Sequence, residues 1–268
     1  MSSYSTEGIV LHSNTNGEAD IIVQAFTEKH GIVDILFKGL KKSSRRSPVA
    51  AEVGVLSQYV FSRFIPDKIP IAKEVHVLDV HTPLREKIHK ILYLSYMSEI
   101  VLKTTPRQQA DDYLFRMLKA ALTQLETTTE DEHLSVFFTI HLLRCHGVLP
   151  RFDACVSCGR ETSETYHFSI KERGVVCPVC ARIPRGDYLP VTGSERLFIK
   201  DSLTRKFNLC NRSLIDAESA LTLLFNLVMY METYFHIKVQ SKTFIFSDML
   251  LDKEASLVQI TPVSDHFP

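Results

Sequence analysis

The sequence predicts an α+β protein: a small N-terminal β-barrel, a mostly helical remainder, and a cysteine module inserted between helices. Three observations point there. Residues 7–80 break into short segments rich in Val, Ile, Phe and Tyr, bounded by turn residues. After Pro83 the apolar residues recur at steps of three and four. Within the second regime lies "CVSCGRETSETYHFSIKERGVVCPVC", with two Cys-x-x-Cys pairs eighteen residues apart.

Five strands are expected in order: "EGIVLHS", "ADIIVQAFT", "GIVDILFKG", "VGVLSQYVFSRF" and "IAKEVHVLDV". "SNTNGE", "EKHG" and "IPDKIP" supply turns between them. Five strands in so short a stretch suggest a closed barrel, most commonly the five-stranded OB-fold. A sandwich or an SH3-like barrel would give nearly the same strings.

The first helix is expected through Leu84, Ile88, Ile91, Leu92, Tyr96 and Glu99, ending before Pro106. A second carries Tyr113, Leu114, Met117, Leu118, Ala121 and Leu125. Thr129 and Glu132 have capping-box spacing and would open a third, through Val136, Phe137, Ile140, Leu143 and Arg144, stopped by Gly147 and Pro150. Thr192 with Glu195 repeats that spacing ahead of "SERLFIKDSLTRKF", and a long helix follows from about Asp216 to His236. The tail has one apolar patch, "FIF", and no clear period. The division expected is a barrel at 1–80, helical parts at 81–150 and 188–240 around a cysteine module at 151–187, and a tail at 241–268.

A Cys-x-x-Cys pair can present two sulfurs from one tight turn, so two pairs fill the tetrahedral shell of Zn²⁺. Cys155, Cys158, Cys177 and Cys180 are therefore the expected ligands of one structural zinc. Gly159 can take the left-handed conformation that such a turn needs. "TYHFSI" and "RGVV" read as a small hairpin between the pairs. Redox use of "CPVC" would leave the other pair unexplained. A catalytic zinc keeps an open position, which four thiolates close. No histidine of the eleven is followed two positions later by Glu, as the zinc deaminases require. Cys145 and Cys210 fall in helical patterns and read as core thiols; His146 and His167 read as structural histidines.

"KGLKKSSRRSP", between the third and fourth strands, holds Lys38, Lys41, Lys42, Arg45 and Arg46 and no acid. Small residues interleave the charges, so it reads as a loop and not a helix. Five cations in nine positions make a phosphate-binding patch, with a solvated surface loop as the plainer alternative. Phe26, Phe37, Tyr59, Phe61 and Phe64 are possible stacking faces, although most suit a core. The two glycines of a P-loop are missing around "KKS", and no G-x-S-x-G occurs. An enzyme is therefore not expected. Formal net charge is zero, so nucleic-acid affinity would have to be local. "MSSYSTEG" lacks the features of a signal peptide, and "LTLLFNLVMYM" is too short to cross a bilayer. A cytosolic protein with reduced thiols is expected.

At this point the chain resembles the bacterial RecO family of recombination mediators. "GIVLHSNTNGEADIIVQAFTEKHGIVDILFKGLKKSSRRS" is similar to its N-terminal signature, and "HGVLPRFDACVSCGR" and "HFSIKERGVVCPVC" to the entry and exit of its cysteine module. "YFHIKVQSKTF" resembles its closing segment, and "KERG" stands where many relatives have paired glycines. The resemblance implies an OB domain, a helical domain and a zinc module that some members lack. It implies binding to single- and double-stranded DNA and annealing of complementary strands in the bacterial cytoplasm, at the nucleoid. The implied partners are RecR, the acidic tail of single-stranded DNA-binding protein and, in some bacteria, RecF, with RecA loading as the outcome. The family's cysteines map onto Cys155, Cys158, Cys177 and Cys180, and its basic loop onto Lys38 to Arg46. A zinc-ribbon interaction module in transcription, without annealing, is the competing reading.

Overall fold

A computed structural model of the chain describes residues 4–43, 47–61, 68–161, 165–181 and 188–247. Strands β1 (Tyr4–Asn16), β2 (Asp20–Thr27), β3 (Gly31–Phe37), β4 (Leu56–Phe61) and β5 (Ala72–Asp79) form one antiparallel sheet in the order β3-β2-β1-β4-β5. The sheet closes where Leu36 bridges Ile71 in parallel and the Leu36 N–H donates to the Pro70 carbonyl at 2.9 Å. That circuit is the OB-fold barrel.

The barrel has its own interior. Val10, Val23, Ile35, Phe37, Tyr59 and Phe61 alternate inward and are sealed by Leu40, Ala50 and Ala51 from the two short 3-10 turns between β3 and β4. Its opposite surface is also apolar on one side. Ile9, Leu11, Phe26, Ile32 and Leu56 belong to the larger core shared with the helices, where Phe26 meets Phe115 edge-on at 5.8 Å. A bulge between Val10 and His12 shifts β1 between these two duties.

Helices α1 (Thr82–Arg85) and α2 (Ile88–Thr104) replace the single helix expected from Leu84. The break has a tertiary cause: Arg85 bonds Glu52 at 2.9 Å and the Val53 and Val80 carbonyls, tying α1 to the barrel, and Lys87 turns extended. Helix α3 (Asp112–Thr127) is capped by the Asp111 side chain, and α4 (Asp131–Cys145) runs through the centre, buried on every face. The capping box expected from Thr129 and Glu132 does not form. Glu130 is the N-cap, its N–H is taken by Thr128 Oγ1, and the Glu132 carboxylate accepts from Tyr93 Oη at 3.0 Å. A buried ion pair, Lys90 Nζ to Asp131 Oδ1 at 2.5 Å, joins α2 to the start of α4.

Strands β6 (Thr165–Ser169) and β7 (Gly174–Val176) form the expected hairpin, and β8 (Tyr188–Thr192), which the pattern did not disclose, pairs with β6 on its other side. From β8 the chain enters α5 (Gly193–Thr204) through the expected Thr192–Glu195 capping box. Helix α6 (Ala217–Phe235) is bounded by Asp216 and by His236 in the left-handed region, as the sequence indicates. Asn226, the polar interruption of its apolar run, is buried and donates to the Pro190 carbonyl of β8. A short α7 (Lys242–Ile245) ends the described chain, with Phe246 buried against Phe225 and Phe244 exposed. Among the described residues, no helix is long and apolar enough to cross a membrane.

Candidate functional sites: a four-cysteine centre and a cationic barrel end

The cysteine centre is assembled from two tight, hydrogen-bonded turns. In the first, the Gly159 N–H donates to the Cys155 carbonyl and the Cys155 N–H to the Arg160 carbonyl, both at 2.8 Å. Gly159 sits at φ 74°, as its position required. In the second, Cys180 and Ala181 both donate to the Cys177 carbonyl at 3.0 Å. Strand β7 delivers Cys177, and its ladder continues into the first turn through Val156 N–H to the Val175 carbonyl at 2.9 Å. Gly174 permits that approach: a Cβ there would lie 2.5 Å from Val156 and 2.8 Å from the Arg151 carbonyl. The hairpin turn tolerates "KERG" by placing Arg173, a non-glycine, at φ 56°.

One sulfur from each cysteine lies within 4.8 Å of the others, and Cys158 Sγ is 3.8 Å from Cys177 Sγ. A tetrahedral ion with metal–sulfur bonds of about 2.3 Å separates its ligands by roughly 3.8 Å, so the donor set fits a tetrahedral thiolate metal. The electrostatics also suit a cation. Burial raises the Cys155 thiol, but N–H groups of Cys177, Cys158 and Ser157 outweigh it and bring it down to about 6. Cys177 is lowered chiefly by the Cys180 N–H. Cys180 is pushed up to about 12, first by its hydrogen bond with Cys158. Four thiolates cannot share this space without a positive centre.

The centre is not a detached knuckle. Cys155, Cys177, Tyr166, Phe168, Val175 and Val176 are part of the helical core, with Phe168 5.8 Å from Tyr230 of α6. Arg196 of α5 clamps it: Nε donates to the Phe152 carbonyl at 2.6 Å, NH2 to the Asp153 carbonyl, and the guanidinium lies 3.9 Å over the Tyr166 ring. No spacing in the sequence marks Arg196 for this role. His146 bonds Thr104 and packs on Phe235, and His167 packs on Tyr188, so neither joins the sulfurs. Cys210 is buried, and burial raises its thiol; Cys145 is half-buried.

At the barrel, Lys38, Lys41 and Lys42 are exposed at one end. Arg45 and Arg46 lie outside the described residues. The described start of the loop, up to Ser43, is held by specific bonds. Gly39, at φ 68°, receives Asp20 Oδ1 on its N–H at 2.7 Å and starts a 3-10 turn at Leu40–Lys42, while the Lys41 N–H binds the Ala19 carbonyl. Glu18 of the β1–β2 turn stands 3.1 Å from Lys42, an acid that the loop's own sequence does not contain. The aromatic stacking faces are corrected outright: Phe26, Phe37, Tyr59 and Phe61 are fully buried, and Phe64 lies outside the described residues. Alternation turns them inward to fill the barrel and its seam with the helices.

A third cluster joins the two halves. His81, buried and left-handed at φ 51°, places Nδ1 2.6 Å from Glu126 at the end of α3 and 3.6 Å from Asp79 at the end of β5. These contacts are accounted for as a hydrogen-bonded seam.

An OB barrel with a cationic end is thus joined to a helical domain that carries a four-cysteine centre. The comparisons name it. The family model described as "Recombination protein O N terminal" matches residues 1–74, and that described as "Recombination protein O C terminal" matches residues 85–243. The chain belongs to the RecO family of DNA repair proteins. DNA repair protein RecO of Shouchella clausii is 27% identical over 94% of this chain and 96% of its own, and that of Bacillus subtilis 27% over 89% and 92%. The Alkaliphilus metalliredigens protein of the same name is 30% identical over 65% of this chain and 71% of its own.

Proposed function

We propose that this protein is a non-enzymatic recombination mediator that binds single- and double-stranded DNA and anneals complementary strands without ATP. The observation that carries this is the placement of Lys38, Lys41 and Lys42, exposed together at one end of an OB barrel in a chain of this family. Cations there offset phosphate repulsion between two strands, and base pairing drives the reaction, so no nucleotide hydrolysis is needed. Arg45 and Arg46, next in the sequence, add their charges to the same DNA contact. With RecR the protein helps load RecA onto coated single strands, docking on the acidic tail of single-stranded DNA-binding protein, and working with RecF in some bacteria. It acts in the bacterial cytoplasm, at the nucleoid.

The metal of the cysteine centre is one structural Zn²⁺, held by Cys155, Cys158, Cys177 and Cys180. Thiolate donors and a closed tetrahedral set favour it over harder ions. The working division is residues 1–80 for DNA, 81–150 and 188–240 as helical support, 151–187 as the zinc module, and 241–268 as a tail. Fluorescence annealing of two complementary oligonucleotides tests the reading, with and without ATP, the coat protein and the loop variant. Annealing without ATP that persists on coated strands is the expected result. Strict ATP dependence, or full activity in a variant lacking the loop cations, overturns it.

A further inference from the structure

Phe26, Phe37, Tyr59 and Phe61 are buried, so the bases of a bound strand would have to meet other apolar side chains of the barrel. On the outward face of the barrel, Asn14 pairs with Ile22, Ile22 with Leu36, and Leu36 bridges Ile71. Their neighbours Ile21, Phe37 and Ala72 turn to the barrel interior, so Ile22, Leu36 and Ile71 point outward by alternation. None of the three is part of either buried core, and Ile71 is 51% exposed. Ile69, two residues before it and equally exposed, continues the apolar strip toward the β4–β5 loop.

Two residues further along the chain come Lys38, just past the end of β3, and Lys73, where β5 bulges against β4; both are exposed. Because β3 and β5 run parallel at the Leu36–Ile71 bridge, the two lysines fall at the same level. A row of cations thus runs beside a row of aliphatic side chains, about 7 Å away at strand rise. Lys41 and Lys42 continue the cationic row over the β1–β2 turn. Among the described residues, the acids nearby have partners: Asp34 has Arg107 at 2.5 Å and Gln24 at 3.2 Å, Asp20 the Gly39 N–H, Glu18 Lys42, and the exposed Glu74 beside Lys73 has His76 at 3.5 Å.

We propose that Ile22, Leu36, Ile69 and Ile71 form a base-docking shelf, and Lys73 a further phosphate contact, for single-stranded DNA. The inference rests on the DNA-binding reading given above. Only an unpaired strand can turn its bases onto an apolar strip while its phosphates follow the lysines. A duplex keeps its base faces stacked and can use only the cations. The shelf is therefore the element that distinguishes one strand from two, without regard to sequence.

The experiment is anisotropy titration of the full chain with a labelled oligo-dT and with a labelled duplex of equal length, over a salt series. The double variant Ile69→Ser with Ile71→Ser, both at exposed positions, should bind oligo-dT about threefold to tenfold more weakly and the duplex as the parent does. Its salt slope should be unchanged. Ile71→Tyr, which offers an aromatic face, should strengthen oligo-dT binding several-fold and leave the duplex alone. Lys73→Ala should weaken both and flatten the slope by somewhat under one, the share of about one phosphate contact. Parent-like oligo-dT binding by the serine double variant, or equal losses on both DNAs, overturns the shelf. Failure of the underlying reading looks different: neither DNA would respond to removal of Lys38, Lys41 and Lys42.

Discussion

The barrel and the cysteine centre handle the same problem, supporting a small irregular surface, in opposite ways. The barrel carries a private core of Val10, Val23, Ile35, Phe37, Tyr59 and Phe61 beneath its cationic end, to which the cationic loop adds Leu40 but none of its charged side chains. The cysteine centre has no private core. Its strands and two of its cysteines are continuous with α4 and α6, and Arg196 of α5 bonds the chain that enters it. A closed β-sheet buries enough apolar surface to stand under a loop, whereas a three-stranded sheet of short strands does not and must borrow. Damage at the centre should therefore spread into the helices, and damage at the loop should stay local.

The sharpest way to break this comparison is at the sulfurs. Cys158→Ser or Cys177→Ser should release the metal, proposed above to be one zinc per chain, and destabilise the C-terminal half. Metal binding supplies on the order of 10 kcal/mol or more in small zinc folds. Elemental analysis and calorimetry check this, and a barrel that still binds DNA after metal loss would uphold the separation. Zinc-free parent protein, or barrel and helices melting together in the variant, would end it.

The seam between the halves is the next target. Gly31 sits at φ 63° at the β2–β3 turn, and a Cβ there would lie 2.1 Å from the Gln109 carbonyl oxygen of the α2–α3 linker. Backbone, not a flexible side chain, is in the way. Gly31→Ala should cost about 3 kcal/mol, from left-handed strain plus displacement of the linker. It should also raise amide exchange at Gln108, whose N–H donates to the Ile32 carbonyl across the seam at 3.0 Å. Denaturant melts and hydrogen exchange read both effects; unchanged exchange at Gln108 would show that the seam does not couple the halves.

The loop variant tests the opposite pole. Replacing Lys41, Lys42, Arg45 and Arg46 with alanine should leave the melting temperature within a degree or two while weakening DNA binding to every sequence. If about four charges engage a single strand, log affinity falls with log salt at a slope near −3 in the parent and much less in the variant. A parent-like slope returns the loop to the solvated surface.

The smallest effect belongs to Glu99. Burial would raise its carboxyl, but Lys103, Ser241 and the N–H groups of Gln240 and Ser241 lower it below the ordinary carboxylate range. A depressed carboxyl stabilises the fold fully above its unfolded value and loses that contribution as pH falls through the folded one. Glu99→Gln should therefore lower the melting temperature slightly at pH 7 and by less near pH 3, with fraying at α7. An equal difference at both pH values would assign the effect to packing.

Much of this was legible locally. The alternation of β1 to β5, the Thr192–Glu195 capping box, the bounds of α6 and the two cysteine turns depend on residues a few positions apart, and short-range chemistry is what a sequence displays. Gly159 is the clearest case, since the turn that presents Cys155 and Cys158 needs a left-handed residue there. Elsewhere a distant partner decided. Thr129 lost its cap because Tyr93 took Glu132, α1 parted from α2 because Arg85 is held by the barrel, and β8 became a strand because β6 had a free edge. Whether an aromatic residue faces a ligand or a core is likewise not written in its neighbours. Phe37 and Leu36 are adjacent, and only barrel closure, Leu36 against Ile71, determines that the aromatic ring is buried and the leucine lies beside the lysines. Residue types and turns are fixed by local chemistry, but which face is inside is decided when a sheet closes, because closure alone removes one face from water.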